Sequence, residues 1–296
     1  MIKALDGLRE VSAILGEYGI EDSHKEAEII FTRCIEMGKL ALYRDNPALS
    51  PSQREEIRSI LERRGKREPL QYIIGHVDFY GLKIHVGPGV LIPRPETELM
   101  AEEAIKAVTR YTLHVTSEDA NSSRVTHYAS RILDLCTGSG CLAVALAKEF
   151  PAAEVFGTDI SEKALEYAMM NASINGIQNV TFLKGDLYEP VKGGTFDIIV
   201  SNPPYIGKEE IRTLEPEIRE WEPLEALDGG EDGLQFYREI LSCAPEYLVQ
   251  GGSLIMELGQ GEADDVLKIA ENSGLGCAAL VKDYSGIDRI LRLSLR

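Results

Sequence analysis

The chain has 296 residues, 44% of them hydrophobic, with 31 basic and 48 acidic side chains and a formal net charge of −17. Such a length and composition fit a globular protein of two domains or one large one. The acidity excludes a general nucleic-acid binder, whose affinity would rest on phosphate contacts, and no apolar run approaches the ~20 residues of a membrane span. Met1–Asp6 carries acid early and has no apolar core, so it does not read as a signal peptide. The five cysteines show no Cys-x-x-Cys spacing, which predicts reduced thiols in a cytoplasm and no structural zinc.

Residues 1–71 read as helices. Leu5, Leu8, Val11, Ile14 and Leu15 recur at helical spacing. Ser23 precedes Glu26 by three residues, the spacing of a capping box. Ser50-Pro51 starts another helix, with proline at its first position. Residues 1–75 are near neutral, with 12 basic and 13 acidic side chains, so the remainder carries almost all of the net charge. Arg54, Arg58, Arg63, Arg64, Lys66 and Arg67 cluster here, with Glu55, Glu56 and Glu62 among them, and read as a solvated helix face in preference to a docking patch. Residues 72–94 alternate and predict a β-hairpin linker. A helix follows from about Glu96, and the polar stretch 112–130 reads as a surface insertion.

From there to residue 296 strands alternate with helices, which predicts a parallel sheet covered on both faces. Strands are expected near 131–136, 154–159, 179–183, 196–201, 252–258, 276–282 and 289–295. The last two are joined by Tyr284–Asp288, too short for a crossover helix, so they should pair antiparallel. The first of these strands, Arg131–Leu135, runs into Cys136-Thr137-Gly138-Ser139-Gly140 and then a helix over Leu142–Lys148. The loop lacks the third glycine of a dinucleotide fingerprint, since Ala143 stands there, and it lacks Gly-Lys-Ser/Thr. That disfavours a nicotinamide oxidoreductase and suits a nucleoside without pyrophosphate, although a tight turn alone would also use these glycines. The next strand ends in Asp159, where an acid accepts hydrogen bonds from ribose hydroxyls in nucleotide-binding folds. Asp159 could instead help cap the next helix, a role Ser161 already fills. Asp186 follows the third strand, as an acceptor for an adenine amine or as an ordinary Gly-Asp turn.

The fourth strand, Phe196–Ser201, ends in Asn202-Pro203-Pro204-Tyr205. Two prolines make the turn stiff and supply no N–H. An amide oxygen, a free carbonyl and an aromatic face then lie within one short turn. That set suits a planar –NH2 group, with two acceptors for its hydrogens and a ring against its plane. Alone, NPPY serves equally as a stiff turn; its place after the three upstream features makes it a site.

In this order the features resemble class I S-adenosylmethionine-dependent methyltransferases. Within them the chain is similar to the protein-(glutamine-N5) methyltransferases of peptide chain release factors, the PrmC/HemK family. Further matches are Glu68–Gly75, Val90–Glu98, Glu222–Leu234 and Asp283–Arg289. Cys136 departs from the pattern, standing where many members have glycine. The resemblance implies an α/β fold: a Rossmann-like, seven-stranded sheet with strand seven inserted antiparallel between strands five and six. A small N-terminal helical bundle would dock the release factor. It implies S-adenosyl-L-methionine as cofactor and S-adenosyl-L-homocysteine as product. Cys136, Thr137, Gly138, Ser139 and Gly140 would lie under the methionine part and ribose, Asp159 on the ribose, Asp186 and Leu187 at the adenine, and Asn202 beside the methyl. Asn202, Pro203, Pro204 and Tyr205 would hold the glutamine of the Gly-Gly-Gln motif. Arg94, Glu96 and Glu98 would close over the site or touch the substrate protein, or simply cap and pair at a helix start. The partner is then a protein, with no direct nucleic-acid or membrane contact, and the enzyme a cytoplasmic monomer. Two other readings share parts of this pattern: an adenine-N6 nucleic-acid methyltransferase, which also needs NPPY, and a non-catalytic cofactor-binding scaffold. The charge disfavours the first and the intact NPPY the second. The five histidines lie outside all these motifs.

Overall fold

The computed structural model describes residues 2–118 and 130–295. The chain divides into two compact units, one of residues 1–75 with 215–221, the other of 76–214 with 222–296.

The first unit is helical: α1 (Ala4–Glu17), α2 (Ser23–Ile35), α3 (Lys39–Asp45), α4 (Pro51–Arg64) and α5 (Leu70–Ile74), joined by the short α10 (Pro216–Arg219). Leu8, Val11 and Leu15 of α1 meet Ile30 and Phe31 of α2 in a shared core, as their spacing predicts. Gly7 allows the approach, since a Cβ there would lie 3.1 Å from the Phe31 ring. Ser50 caps α4 through Gln53 in a full capping box with Pro51 at the first position. The box expected at Ser23 does not form. Asp22 is the N-cap, Ser23 is already helical, and no side chain caps the end. Glu26 is drawn away by Arg64, whose Nε and Nη2 donate to it at 2.9 and 3.0 Å.

The basic cluster divides: Arg54, Arg58 and Lys66 are exposed with Glu55, Glu56 and Glu62, a solvated face as expected, whereas Arg63, Arg64 and Arg67 turn inward. Arg64 is only 3% exposed and also donates to Glu217 at 2.9 Å and to the Glu68 carbonyl at 3.1 Å. Arg63 pairs with Glu68, and Arg67 with Glu215 and Glu217. Glu68 is close in sequence, but Glu26, Glu215 and Glu217 come from distant sequence, where local charge patterning offers no signal.

The second unit opens with the hairpin β1 (His76–Phe79) and β2 (Leu82–His85), then the long α6 (Pro95–Glu118). The hairpin is shorter than 72–94, because Tyr72–Ile74 is helical and residues 86–94 run without regular structure. Helix α6 occupies the start of the stretch read as an insertion; residues 119–129 lie outside the described residues. The sheet strands are β3 (Arg131–Leu135), β4 (Glu154–Asp159), β5 (Val180–Lys184), β6 (Phe196–Ser201), β7 (Leu248–Glu257), β8 (Leu275–Lys282) and β9 (Asp288–Leu295). Between them lie α7 (Cys141–Glu149), α8 (Glu162–Ile174), α9 (Lys208–Ile211), α11 (Gln235–Tyr247) and α12 (Ala263–Glu271). Their order is β5-β4-β3-β6-β7-β9-β8, with β9 antiparallel to both neighbours and the other pairs parallel. Every residue of β6 is buried, as a central parallel strand covered on both faces requires. Strand order reverses between β3 and β6, so the connections leaving their carboxyl ends diverge and open a crevice, the usual ligand position in such sheets.

Candidate active site

A cavity of about 590 Å³ occupies that crevice, within the size range of small-molecule and cofactor sites. Its lining includes Cys136, Thr137, Gly138, Ser139, Asp159, Asp186, Leu187, Asn202 and Pro204. The register explains this convergence. Leu135 pairs with Thr158 on one side and Ser201 on the other, so the residues that follow them leave the sheet at the same edge. Gly140, Pro203 and Tyr205 are not among the lining residues. Gly140 instead starts α7 at φ 75°, where a Cβ would lie 2.9 Å from that of Ala168.

The loop after β3 is held open by its own backbone. Cys136 and Gly138 have φ of 56° and 54°. Glycine reaches that region freely, whereas a side chain there costs ~1–2 kcal/mol. The departure from glycine at Cys136 therefore leaves the turn's shape intact at an energetic cost. Asp159 fixes the loop from β4: its Oδ2 accepts from Gly138 N at 2.8 Å and its Oδ1 from Ser161 N at 2.9 Å. Ser161 caps α8 through Ala164 N, so capping and the Asp159 contacts are separate jobs. Leu187, at φ 41°, turns its carbonyl to the Thr158 hydroxyl at 2.9 Å, tying the Asp186–Leu187 turn to β4.

Residues with no assigned role in the sequence complete the site. Asp134 is 1% exposed; its Oδ2 accepts from Thr137 Oγ1 at 2.6 Å and Ala143 N at 3.2 Å, while Oδ1 has no partner. Burial pushes this carboxyl up to about 7, against those two hydrogen bonds. Burial also raises Asp159 and Glu257 above the ordinary carboxylate range. None of the three forms an ion pair among the described residues. Their signal was available, since an acid inside or at the end of an apolar strand calls for a reason.

At the end of β6, Asn202 Nδ2 donates to Thr97 Oγ1 at 3.4 Å, and Thr97 Oγ1 donates to Glu257 Oε2 at 2.8 Å. The Tyr205 hydroxyl lies 3.5 Å from Glu257 Oε1, and burial raises the Tyr205 hydroxyl well above its ordinary pKa. Asn202 Oδ1 and the Pro203 carbonyl make no hydrogen bond among the described residues. Arg94 pairs with Glu222, which is 6% exposed and also accepts from Ile92 N at 3.1 Å, so two lining segments are fastened together. Glu98 accepts from Tyr80 N at 3.0 Å, which makes it a structural tie to the hairpin. Among the described residues no helix is long and apolar enough to cross a membrane.

Two family models match the chain: the PrmC N-terminal domain over residues 6–75 and the methyltransferase small domain over residues 121–216. A release factor glutamine methyltransferase of Thermodesulfovibrio yellowstonii is 45% identical over 99% of this chain and 98% of its own length. One from Geobacter sulfurreducens is 43% identical over 98% and 94%. Among solved structures the methyltransferase domain of METTL16 matches at a TM-score of 0.52 and 17% identity, over 73% of this chain and 90% of that one, which speaks for the fold alone.

Proposed function

The chain belongs to the release factor glutamine methyltransferase family, and on that premise we propose that it transfers a methyl group from S-adenosyl-L-methionine to the side-chain amide nitrogen, N5, of the glutamine in the Gly-Gly-Gln motif of peptide chain release factors. The cavity suits the cofactor in chemistry as well as size. Its lining carries the carboxylates of Asp159, Asp186, Glu225, Asp228 and Glu239, and the cofactor is cationic at its sulfonium and amino groups. Asp159 would hold the ribose hydroxyls with its remaining lone pairs. Asp186 and Leu187 would flank the adenine, and Cys136 to Ser139 the methionine part and ribose.

When bound, the cofactor supplies an electrophilic methyl on a sulfonium, so no metal is needed to activate a leaving group. The protein's task is the nucleophile. An amide nitrogen has its lone pair delocalised into its carbonyl and is a poor one. Asn202 Oδ1 and the Pro203 carbonyl would accept its two hydrogens, turn the lone pair toward the methyl carbon and ease rehybridisation as charge builds on nitrogen. Pro204 stiffens the turn, and Tyr205 would lie along the amide plane. Good alignment of this kind contributes ~7–11 kcal/mol. After transfer one N–H proton leaves to solvent.

The observation that carries this reading is the Asn202 amide: its NH2 edge is bound to Thr97 and its oxygen is left to the cavity. The test is methyl transfer from labelled S-adenosyl-L-methionine to purified release factor, beside a copy whose Gly-Gly-Gln glutamine is alanine. Label on the first alone is expected. Label on both copies, or in nucleic acid and in neither copy, would overturn the assignment of substrate.

A further inference from the structure

We infer that Glu257 and Thr97 are positioning residues that fix which edge of the Asn202 amide faces the substrate nitrogen. The inference rests on the role proposed for Asn202 and goes beyond it.

The argument is one of hydrogen-bond polarity. In this geometry both Glu257 oxygens accept, Oε2 from the Thr97 hydroxyl and Oε1 from the Tyr205 hydroxyl. Thr97 has a single hydroxyl hydrogen, and it is given to Glu257 Oε2 at 2.8 Å. Thr97 Oγ1 then has only lone pairs to offer, and the group 3.4 Å away must be a donor. Asn202 can meet that demand with Nδ2 alone. Its Oδ1, on the opposite edge of a planar amide, is thereby assigned to the cavity. Without this chain the two edges of an asparagine amide are nearly isosteric. A flipped amide would present NH2 to the NH2 of the substrate, a donor against a donor.

The sheet makes the chain possible. Ser201 pairs with Met256, so Asn202 and Glu257 emerge side by side at the carboxyl edge. Thr97, near the start of α6, is 2% exposed and sits between them. Glu257 is 1% exposed and makes no ion pair among the described residues; Arg289 and Arg94 favour its charge only without contact. Its second oxygen lies 3.5 Å from the Tyr205 hydroxyl. One carboxylate thus reaches, directly or through Thr97, both side chains that would hold the glutamine amide.

Thr97→Val keeps the shape and removes the hydroxyl; Thr97→Ser keeps the hydroxyl. Glu257→Gln can turn an NH2 toward Thr97 and reverse the chain's polarity. Thr97→Val and Glu257→Gln should each lower kcat roughly 10- to 100-fold, the scale of a misplaced reacting group. KM for the release factor and Kd for S-adenosyl-L-methionine should stay within about twofold, and Thr97→Ser should restore most of the rate. In an Asn202→Ala background, adding Thr97→Val should cost nothing further, because the hydroxyl acts through a side chain already gone. Unchanged kcat in Thr97→Val, or a full additional loss on top of Asn202→Ala, would overturn the inference while leaving Asn202 in its role. Full turnover by Asn202→Ala alone would instead overturn the role of Asn202, and this inference with it.

Discussion

Two regions of the molecule bury charge in opposite ways. In the helical unit Arg64 is enclosed by Glu26 and Glu217, and every long-range contact it makes ends on an acceptor of the same unit. In the sheet unit Asp134, Asp159 and Glu257 are buried or half-buried with hydrogen-bond donors but no paired cation. A buried charge that is unpaired is expensive. The helical unit meets that cost internally, so its charges hold the fold together. The sheet unit pairs Glu222 with Arg94 and Asp283 with Arg289 but leaves the cost standing at these three acids, which lie at or near the carboxyl ends of their strands. On the proposed function, the contrast separates structural charge from charge kept for a ligand and for orienting a reactive group.

The sharpest way to break this comparison is to remove the cation of the first cluster. Arg64→Ala strands Glu26 and leaves Glu217 to Arg67 alone, and losing one partner of a buried pair costs about 3–5 kcal/mol. Faster amide hydrogen exchange is expected in α2, α4 and segment 215–221. Affinity for S-adenosyl-L-methionine, measured by calorimetry, should be unaltered. Loss of both together would mean that the two clusters are one system.

The second cluster can be addressed through pH. Asp134 is pushed up to about 7 from the usual 3.8. Below about pH 4 the group is protonated whether the chain is folded or not. Between there and 7 the folded state keeps a proton that the unfolded chain has released, so stability falls as pH rises. Above 7 the loss is complete, on the order of 4 kcal/mol at most. Asp134→Asn removes the titration and keeps an acceptor for Thr137 and Ala143 N. Without cofactor, the Tm of the wild type minus that of Asp134→Asn should therefore decline from pH 4 to 8. A flat difference would show that the carboxylate's burial is already compensated, which would erase the contrast at that residue.

How much of this was readable beforehand follows from where each interaction's partners lie in sequence. The strands, their order and the Asn202–Tyr205 turn are local patterns or products of chain order, and they could be read directly. So could Asp159, because an acid at the end of the second strand has a general role. The pairs that distinguish the two clusters are not local. Arg64 and Glu217 are 153 residues apart, Asn202 and Thr97 105, and Thr97 and Glu257 160. No periodicity links such positions; only sheet register and chain path bring them together. The Ser23 capping box failed for the same reason: a local motif lost its glutamate to a distant arginine.

Asp159 offers the finest test, because it belongs to both kinds of charge. Its two oxygens already take the Gly138 and Ser161 amides at 2.8 and 2.9 Å, which is a structural task. Its remaining lone pairs face the cavity it lines, which is a binding task. Asp159→Asn replaces one oxygen with an NH2, so either a backbone amide or the ligand loses an acceptor. Hydrogen bonds to a charged group contribute about 1.5–3 kcal/mol, so Kd for S-adenosyl-L-methionine should rise roughly 10- to 100-fold. The Tm without cofactor separates the two tasks. If it is little changed while Kd rises, the carboxylate is held chiefly for the ligand. If Tm falls and Kd does not move, Asp159 belongs with Arg64 as a fold-holding charge, and the acids buried without a paired cation reduce to Asp134 and Glu257.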